Sequence, residues 1–286
     1  MDCAYLGTAY SGWAKQPRQR TIQEELETAL ATVLHAAKKD VSTVVAGRTD
    51  AGVHALGQVC HVDLSDAITL TPAGLASLPK RVNGALGSDA IVVHSVRRAP
   101  EGFNARYSAL SRHYEYRLAD RRALKNPLKR DITARTPYDL DVDAMNDVGE
   151  ALLGLHDFQA FCALRAGATT IRTLQKFTWT RDAEGVLVAN LSADAFCRSM
   201  VRSLVGAAVA LGRGAISVDE VLAARAARKR TSLWVTLPAK GLTLVSVTYP
   251  EDGQLAMRAE QTRAKRKRSA DGLTRHSLCP KIATWC

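Results

Sequence analysis

Apolar residues at Ile22, Leu26, Ala29, Leu30 and Val33 recur at helical spacing behind Thr21-Ile22-Gln23-Glu24, which reads as a capping box. The spacing predicts a helix from about Thr21 to Ala37. Val44-Val45-Ala46 is a short strand, and Gly47 to Gly52 a turn. From Gln58 to Leu64 the chain alternates, with Cys60, Val62 and Leu64 on one face, as a half-buried strand does. A helix over Pro72 to Asn83 and a strand over Ala90 to Val96 follow.

The second half repeats this mixture. His113 to Leu118 reads as a strand and Asp141 to Leu153 as a helix. Arg172 to Arg181 and Val186 to Ala193 pair across Asp182-Ala183-Glu184-Gly185 as a hairpin. Phe196 to Gly212 is an apolar helix with small residues. Ser217-Val218-Asp219-Glu220 is a second capping box, and Leu242 to Val247 is a buried strand ended near Pro250. Strands mixed with single helices and hairpins argue for α+β with mostly antiparallel sheets rather than a doubly wound parallel sheet.

Past Pro250 the apolar period fades. Residues 251–286 are expected to form a basic, largely disordered tail, whose removal from Gln254 onward should leave the fold intact. That tail matters to the charge. The chain carries a net charge of +11, and residues 254–286 hold eight Lys/Arg against two acids, about half of the excess. A basic body points to a polyanion, nucleic acid first, with a simple solubility balance as the even-odds alternative. The six cysteines form no CxxC pair, so neither disulfides nor a zinc site of common spacing is implied. His54, Cys60 and His61 are not expected to hold a metal, because a strand points Cys60 and His61 to opposite faces. Apolar runs such as Leu204 to Leu211 are too short to cross a bilayer, no signal peptide is visible, and a reducing cytoplasm fits best.

The candidate chemistry lies in Gly47-Arg48-Thr49-Asp50-Ala51-Gly52-Val53-His54-Ala55, between two predicted strands. Two glycines bracket an Arg, a Thr and an Asp, a loop that can present a carboxylate and a guanidinium from a rigid sheet end. On physics alone, a turn whose Asp bonds its own backbone is the better reading. The full string, however, resembles GRTDAGVHA, the signature of the tRNA pseudouridine synthase A family, at every position. Further resemblances follow in order. Gly7-Thr8-Ala9-Tyr10-Ser11-Gly12-Trp13 is similar to the family's N-terminal loop. Phe103-Asn104-Ala105-Arg106 is similar to FxAR, and Arg112-His113-Tyr114-Glu115-Tyr116 to RxYxY. Phe196 with Met200 to Gly206 resembles FxxxMVRxxVG, and Gly241 to Val245 the closing GLxLxxVxY strand. The likeness covers about residues 3–250. The chain departs from the family in having Leu6 where Asp usually stands and Leu237 where a smaller residue is expected. Few residues precede the first loop, and the basic tail is longer.

The resemblance implies two RRM-like (ferredoxin-like) halves, residues 1–100 and 101–250, with the active cleft between them. It implies conversion of uridine to pseudouridine in the tRNA anticodon stem-loop, at positions 38, 39 and 40, by a homodimer, with no cofactor. Asp50 is then the catalytic carboxylate; attack on the sugar, attack on the base and action as a base at the sugar all stay open. Arg202 would lie beside Asp50 and favour its charged form. Tyr114 would stack on the flipped uracil and assist proton removal at C5. Arg48 would fill the space the base vacates, and Arg106 and Arg112 would bind the RNA backbone. Against these stand blander readings: a core aromatic for Tyr114, a helix-surface charge for Arg202. A catalytically silent RNA binder and a basic structural protein are the rival classes.

Overall fold

The computed structural model describes residues 1–65, 68–163 and 169–263. The first half runs β1 (Asp2–Tyr5), α1 (Ile22–Leu34), β2 (Thr43–Val45), β3 (His54–Val62), α2 (Pro72–Leu86) and β4 (Ile91–Ser95). The second runs β5 (Ser111–Ala119), β6 (Ala134–Arg135), α3 (Val142–Ala151), β7 (Gly154–Asp157), β8 (Ile171–Arg181), β9 (Leu187–Ala193), α4 (Met200–Gly212), α5 (Val218–Ala227) and β10 (Leu242–Thr248). One sheet carries the order β4-β1-β3-β10-β5-β9-β8-β7, with β2 on β3 and β6 on β5. Strand-helix-strand-strand-helix-strand thus occurs twice. Its strands stand in the order fourth, first, third, second both times: β4-β1-β3-β2, then β10-β5-β9-β8. This is the α+β, RRM-like arrangement, and nearly all its pairings are antiparallel.

The two sets meet through β10. It runs parallel to β3, with Thr243 opposite His54 and Leu244 opposite Ala55, and antiparallel to β5, with Leu244 opposite Tyr114. Since β10 leaves the end of the chain and docks in the middle, the sheet is completed last in sequence.

Several elements differ from the sequence expectation, each for a local reason. α1 stops at Leu34 because His35 turns left-handed (φ 51°) and caps it. Thr21 accepts from the Glu24 amide at 3.4 Å, while the Glu24 carboxylate is taken by Lys38 at 2.6 Å. At α5 the capping box closes in both directions. β1 is short but flanked on both sides, by β4 and β3, so it is an interior strand. α4 begins four residues later than expected because Ser199 adopts φ 63°, which leaves Phe196 outside the helix.

Twelve of the thirteen α4 residues are buried and Arg202 is the exception. A helix apolar all round belongs to the core. The segment after α5 crosses it so closely that a Cβ on Gly206 would lie 1.9 Å from the Val235 carbonyl oxygen. Trp234 fixes that crossing: its Nε1 donates to Ser203 Oγ at 3.0 Å, and its ring stacks on Phe161 at 5.2 Å.

The expected structureless tail starts later than residue 251. Residues 255–263 are helical, with Leu255 and Ala259 buried. Ser108 Oγ donates to the Leu255 carbonyl at 3.0 Å, and Ala256 packs on Gly102. The rest of the basic tail, 264–286, lies outside the described residues. Among those described, no helix is long and apolar enough to cross a membrane.

Candidate active site

The loop between β2 and β3 is braced from beneath by the first loop of the chain. The Trp13 amide donates to the Thr49 carbonyl at 3.1 Å, and the Gly52 amide to the Tyr10 carbonyl at 3.2 Å. Gly12, at φ 92°, lies so close that a Cβ there would meet the Thr49 carbonyl oxygen at 2.8 Å. Tyr5 Oη and Thr49 Oγ1 are 2.8 Å apart, and Gln58 Nε2 donates to Tyr5 Oη at 3.0 Å and to the Gly47 carbonyl at 2.8 Å. At the far end His54 Nδ1 accepts from the Gly7 amide at 3.0 Å while Nε2 faces the Lys240 carbonyl at 3.1 Å. Those partners select the neutral ring with its proton on Nε2. A loop tied at this many points holds its side chains with little freedom.

Asp50 sits at the turn of that loop, its own carbonyl accepting from the Val53 amide at 3.2 Å. The carboxylate is one-third exposed and reaches the start of α4. Ser199 Oγ lies 3.5 Å from Oδ2, and Arg202 Nη1 lies 4.0 Å from the same oxygen. Oδ1 makes no hydrogen bond among the described residues. Positive charge therefore approaches one oxygen and leaves the other open. Arg202 is itself aimed by backbone: its Nε donates to the Leu237 carbonyl at 2.6 Å, and the Leu237 amide donates to the Arg202 carbonyl at 3.2 Å.

Tyr114 is buried in the middle of the sheet, on β5 between β10 and β9, with Phe196 edge-on at 5.2 Å. Burial pushes its phenol up to about 12; the Arg112 guanidinium pulls the other way and the Asp50 charge adds to the rise. The phenol is neutral at ordinary pH.

The three further arginines part company. Arg48 and Arg106 are exposed, and Arg106 stands 5.4 Å over the Tyr107 ring. Arg112 is 7% exposed. Its Nη1 donates to the Asp194 carbonyl at 2.6 Å, and its Nη2 to the carbonyls of Ala46 at 2.8 Å and Arg106 at 2.6 Å. The expected phosphate contact from Arg112 is not what the fold provides: the guanidinium ties three backbone segments together under the Asp50 loop. Ser199, Phe196 and Leu237 were not singled out as site residues by sequence. Their parts come from the left-handed turn before α4 and from a backbone carbonyl, neither of which a side-chain pattern shows. Among the described residues, no group of three or more His, Cys, Asp or Glu is placed to hold a metal ion.

A family model described as tRNA pseudouridine synthase matches residues 3–108 and 149–250. A protein of Leifsonia xyli named tRNA pseudouridine synthase A is 53% identical over 277 residues, covering 93% of this chain and 96% of that one. The protein of the same name from Frankia casuarinae is 49% identical, covering 93% and 94%. One from Streptomyces avermitilis is 46% identical, covering 95% of each. Tyr114 falls between the two stretches that the family model matches, whereas the Asp50 loop and the whole of α4 with Arg202 fall inside them. The chain belongs to the tRNA pseudouridine synthase family.

Proposed function

We propose that this protein isomerises uridine to pseudouridine in the tRNA anticodon stem-loop, at positions 38, 39 and 40. The observation that carries the reading is the Asp50 carboxylate, held on a braced loop with Oδ2 beside Arg202 and Oδ1 open. The reaction breaks the bond from the sugar to N1 and forms one from the sugar to C5. C5 loses a proton and N1 gains one, so no redox partner is required. The target base leaves its stack to be reached. Asp50 is the nucleophile or base. Arg202 holds its rotamer and complements its charge. Tyr114 supplies a neutral ring and phenol near the base. Exposed Arg48 takes the space the base leaves, and Arg106 contacts the phosphate backbone. Arg112 we place beneath the site as a tie rather than in contact with RNA. The working protein is a cytoplasmic homodimer needing no cofactor.

The test is tritium release from tRNA carrying uridine labelled at C5. Asp50→Asn should abolish release while leaving tRNA affinity nearly intact. More than a few per cent residual activity, in protein free of wild type, ends the role of Asp50. A protein that binds tRNA but releases no tritium as wild type is the silent RNA binder instead.

A further inference from the structure

A pocket of about 440 Å³ opens at the end of the sheet where β5 finishes, next to the turn that leads into β10. Its floor is apolar, made by Ala119, Leu124, Pro127 and Val186. Its rim is cationic: Lys125, Arg130, Arg135 and Lys240 all line it. Lys125, Arg135 and Lys240 make no ion pair among the described residues, and Arg130 makes a surface pair with Asp131 at 3.5 Å. Two oxygens of its lining are buried without a hydrogen-bond partner, Thr133 Oγ1 and Glu184 Oε2. Thr133 is 7% exposed, so its hydroxyl has left water for no visible return. Glu184 is oriented through its other oxygen, which accepts from Lys129 Nζ at 2.8 Å and Asn126 Nδ2 at 3.3 Å.

An apolar floor, a cationic rim and two unmet acceptors fit one kind of ligand. A phosphate satisfies the rim, a flat heterocycle covers the floor, and a base amine supplies the proton that Glu184 Oε2 lacks. A carboxylate in this position accepts from an exocyclic amine, as on cytosine, and repels the carbonyl that uracil carries there. The pocket also shares structure with the cleft. Lys240 rims it by its side chain, while its carbonyl faces His54, which follows the Asp50 loop directly. Along β5, Ala119 lies five residues beyond Tyr114, about 17 Å in an extended strand. Both sites therefore lie within reach of one folded RNA.

We propose that this pocket is a second nucleotide subsite, taking one unstacked nucleotide of the RNA substrate with its phosphate on the rim and an amino-bearing base on Glu184. The proposal rests on the assignment of an RNA substrate above. The readout is binding, so it is separate from tritium release by the wild type, which tests isomerisation by itself.

The experiment titrates the full chain with CMP, UMP and inorganic phosphate by ligand-observed NMR. CMP should bind about tenfold tighter than UMP. Glu184→Gln should erase that preference, and Arg130→Ala with Arg135→Ala should weaken CMP and tRNA alike. Saturating tRNA should displace CMP. Equal affinity for CMP, UMP and inorganic phosphate would overturn base recognition. CMP that stays bound under saturating tRNA would mark a site for free nucleotide and overturn the RNA assignment. Unchanged CMP and tRNA affinity in the double arginine variant, with an unchanged melting temperature, would overturn the pocket as the site.

Discussion

Arg202 and Leu237 hold each other twice, the Leu237 amide on the Arg202 carbonyl at 3.2 Å and Arg202 Nε on the Leu237 carbonyl at 2.6 Å. The second bond uses the inner nitrogen of the guanidinium and leaves Nη1 to approach Asp50. Lysine has one nitrogen and cannot do both. Arg202→Lys should therefore keep tRNA affinity within about threefold and slow single turnover roughly 100-fold, the cost of a small misplacement at a reacting centre. Wild-type rates in Arg202→Lys would show that charge alone suffices.

Arg112 makes a contrasting prediction. Replacing it with Met keeps bulk but strands three carbonyls that now accept from its guanidinium. The loss should be about 3 kcal/mol by urea unfolding, because buried acceptors without donors carry their full desolvation cost. An RNA contact would behave differently, with weaker tRNA binding and an unchanged unfolding midpoint.

His54 gives the pH dependence. Burial holds its pKa below the ordinary value, against the opposing pull of the Lys240 carbonyl. Between the two states the unfolded chain takes up the proton first. The stability His54 contributes is thus complete above about pH 6.5 and is lost as pH falls through the lower folded-state value. Protonation also removes the acceptor of the Gly7 amide. Burial lowers His61 as well, so the two act in the same direction. The difference in urea midpoint between wild type and His54→Asn, followed downward from about pH 7, isolates the His54 share; it should shrink with acid. A constant difference refutes the assignment.

Two truncations separate the parts of the C-terminus. Ending the chain after Arg263 removes six Lys/Arg and one Asp and leaves the buried Leu255 and Ala259 in place. It should lower tRNA affinity and its salt slope with no change in melting temperature. Ending it before Leu255 uncovers an apolar contact worth about 2 kcal/mol and should lower the melting temperature. Equal melting temperatures for both would show that helix 255–263 adds nothing to the fold.

Much of this was readable in the residues. The helical period behind Thr21 and the capping box at Ser217 place α1 and α5, and the string around Asp50 picks out the loop. The rest was hidden where backbone does the work. Arg112 and Arg202 look alike in sequence, yet one ends on three carbonyls and the other beside a carboxylate. Carbonyl partners carry no side-chain signal. β7 is Gly-Leu-His-Asp, four residues without apolar alternation, and exists through its pairing with β8. The helix at 255–263 has Leu255 and Ala259 on its buried face, too few positions to stand out from a charged surrounding.

The position of β10 sets a condition on synthesis. β3 and β5 are joined through it, and it is encoded after everything it joins. A chain still emerging from the ribosome owns the Asp50 loop early and Arg202 late, yet lacks the strand that seats one half against the other. Prematurely terminated products are then inert toward RNA by construction, and catalytic competence arrives in a single step, with the last strand.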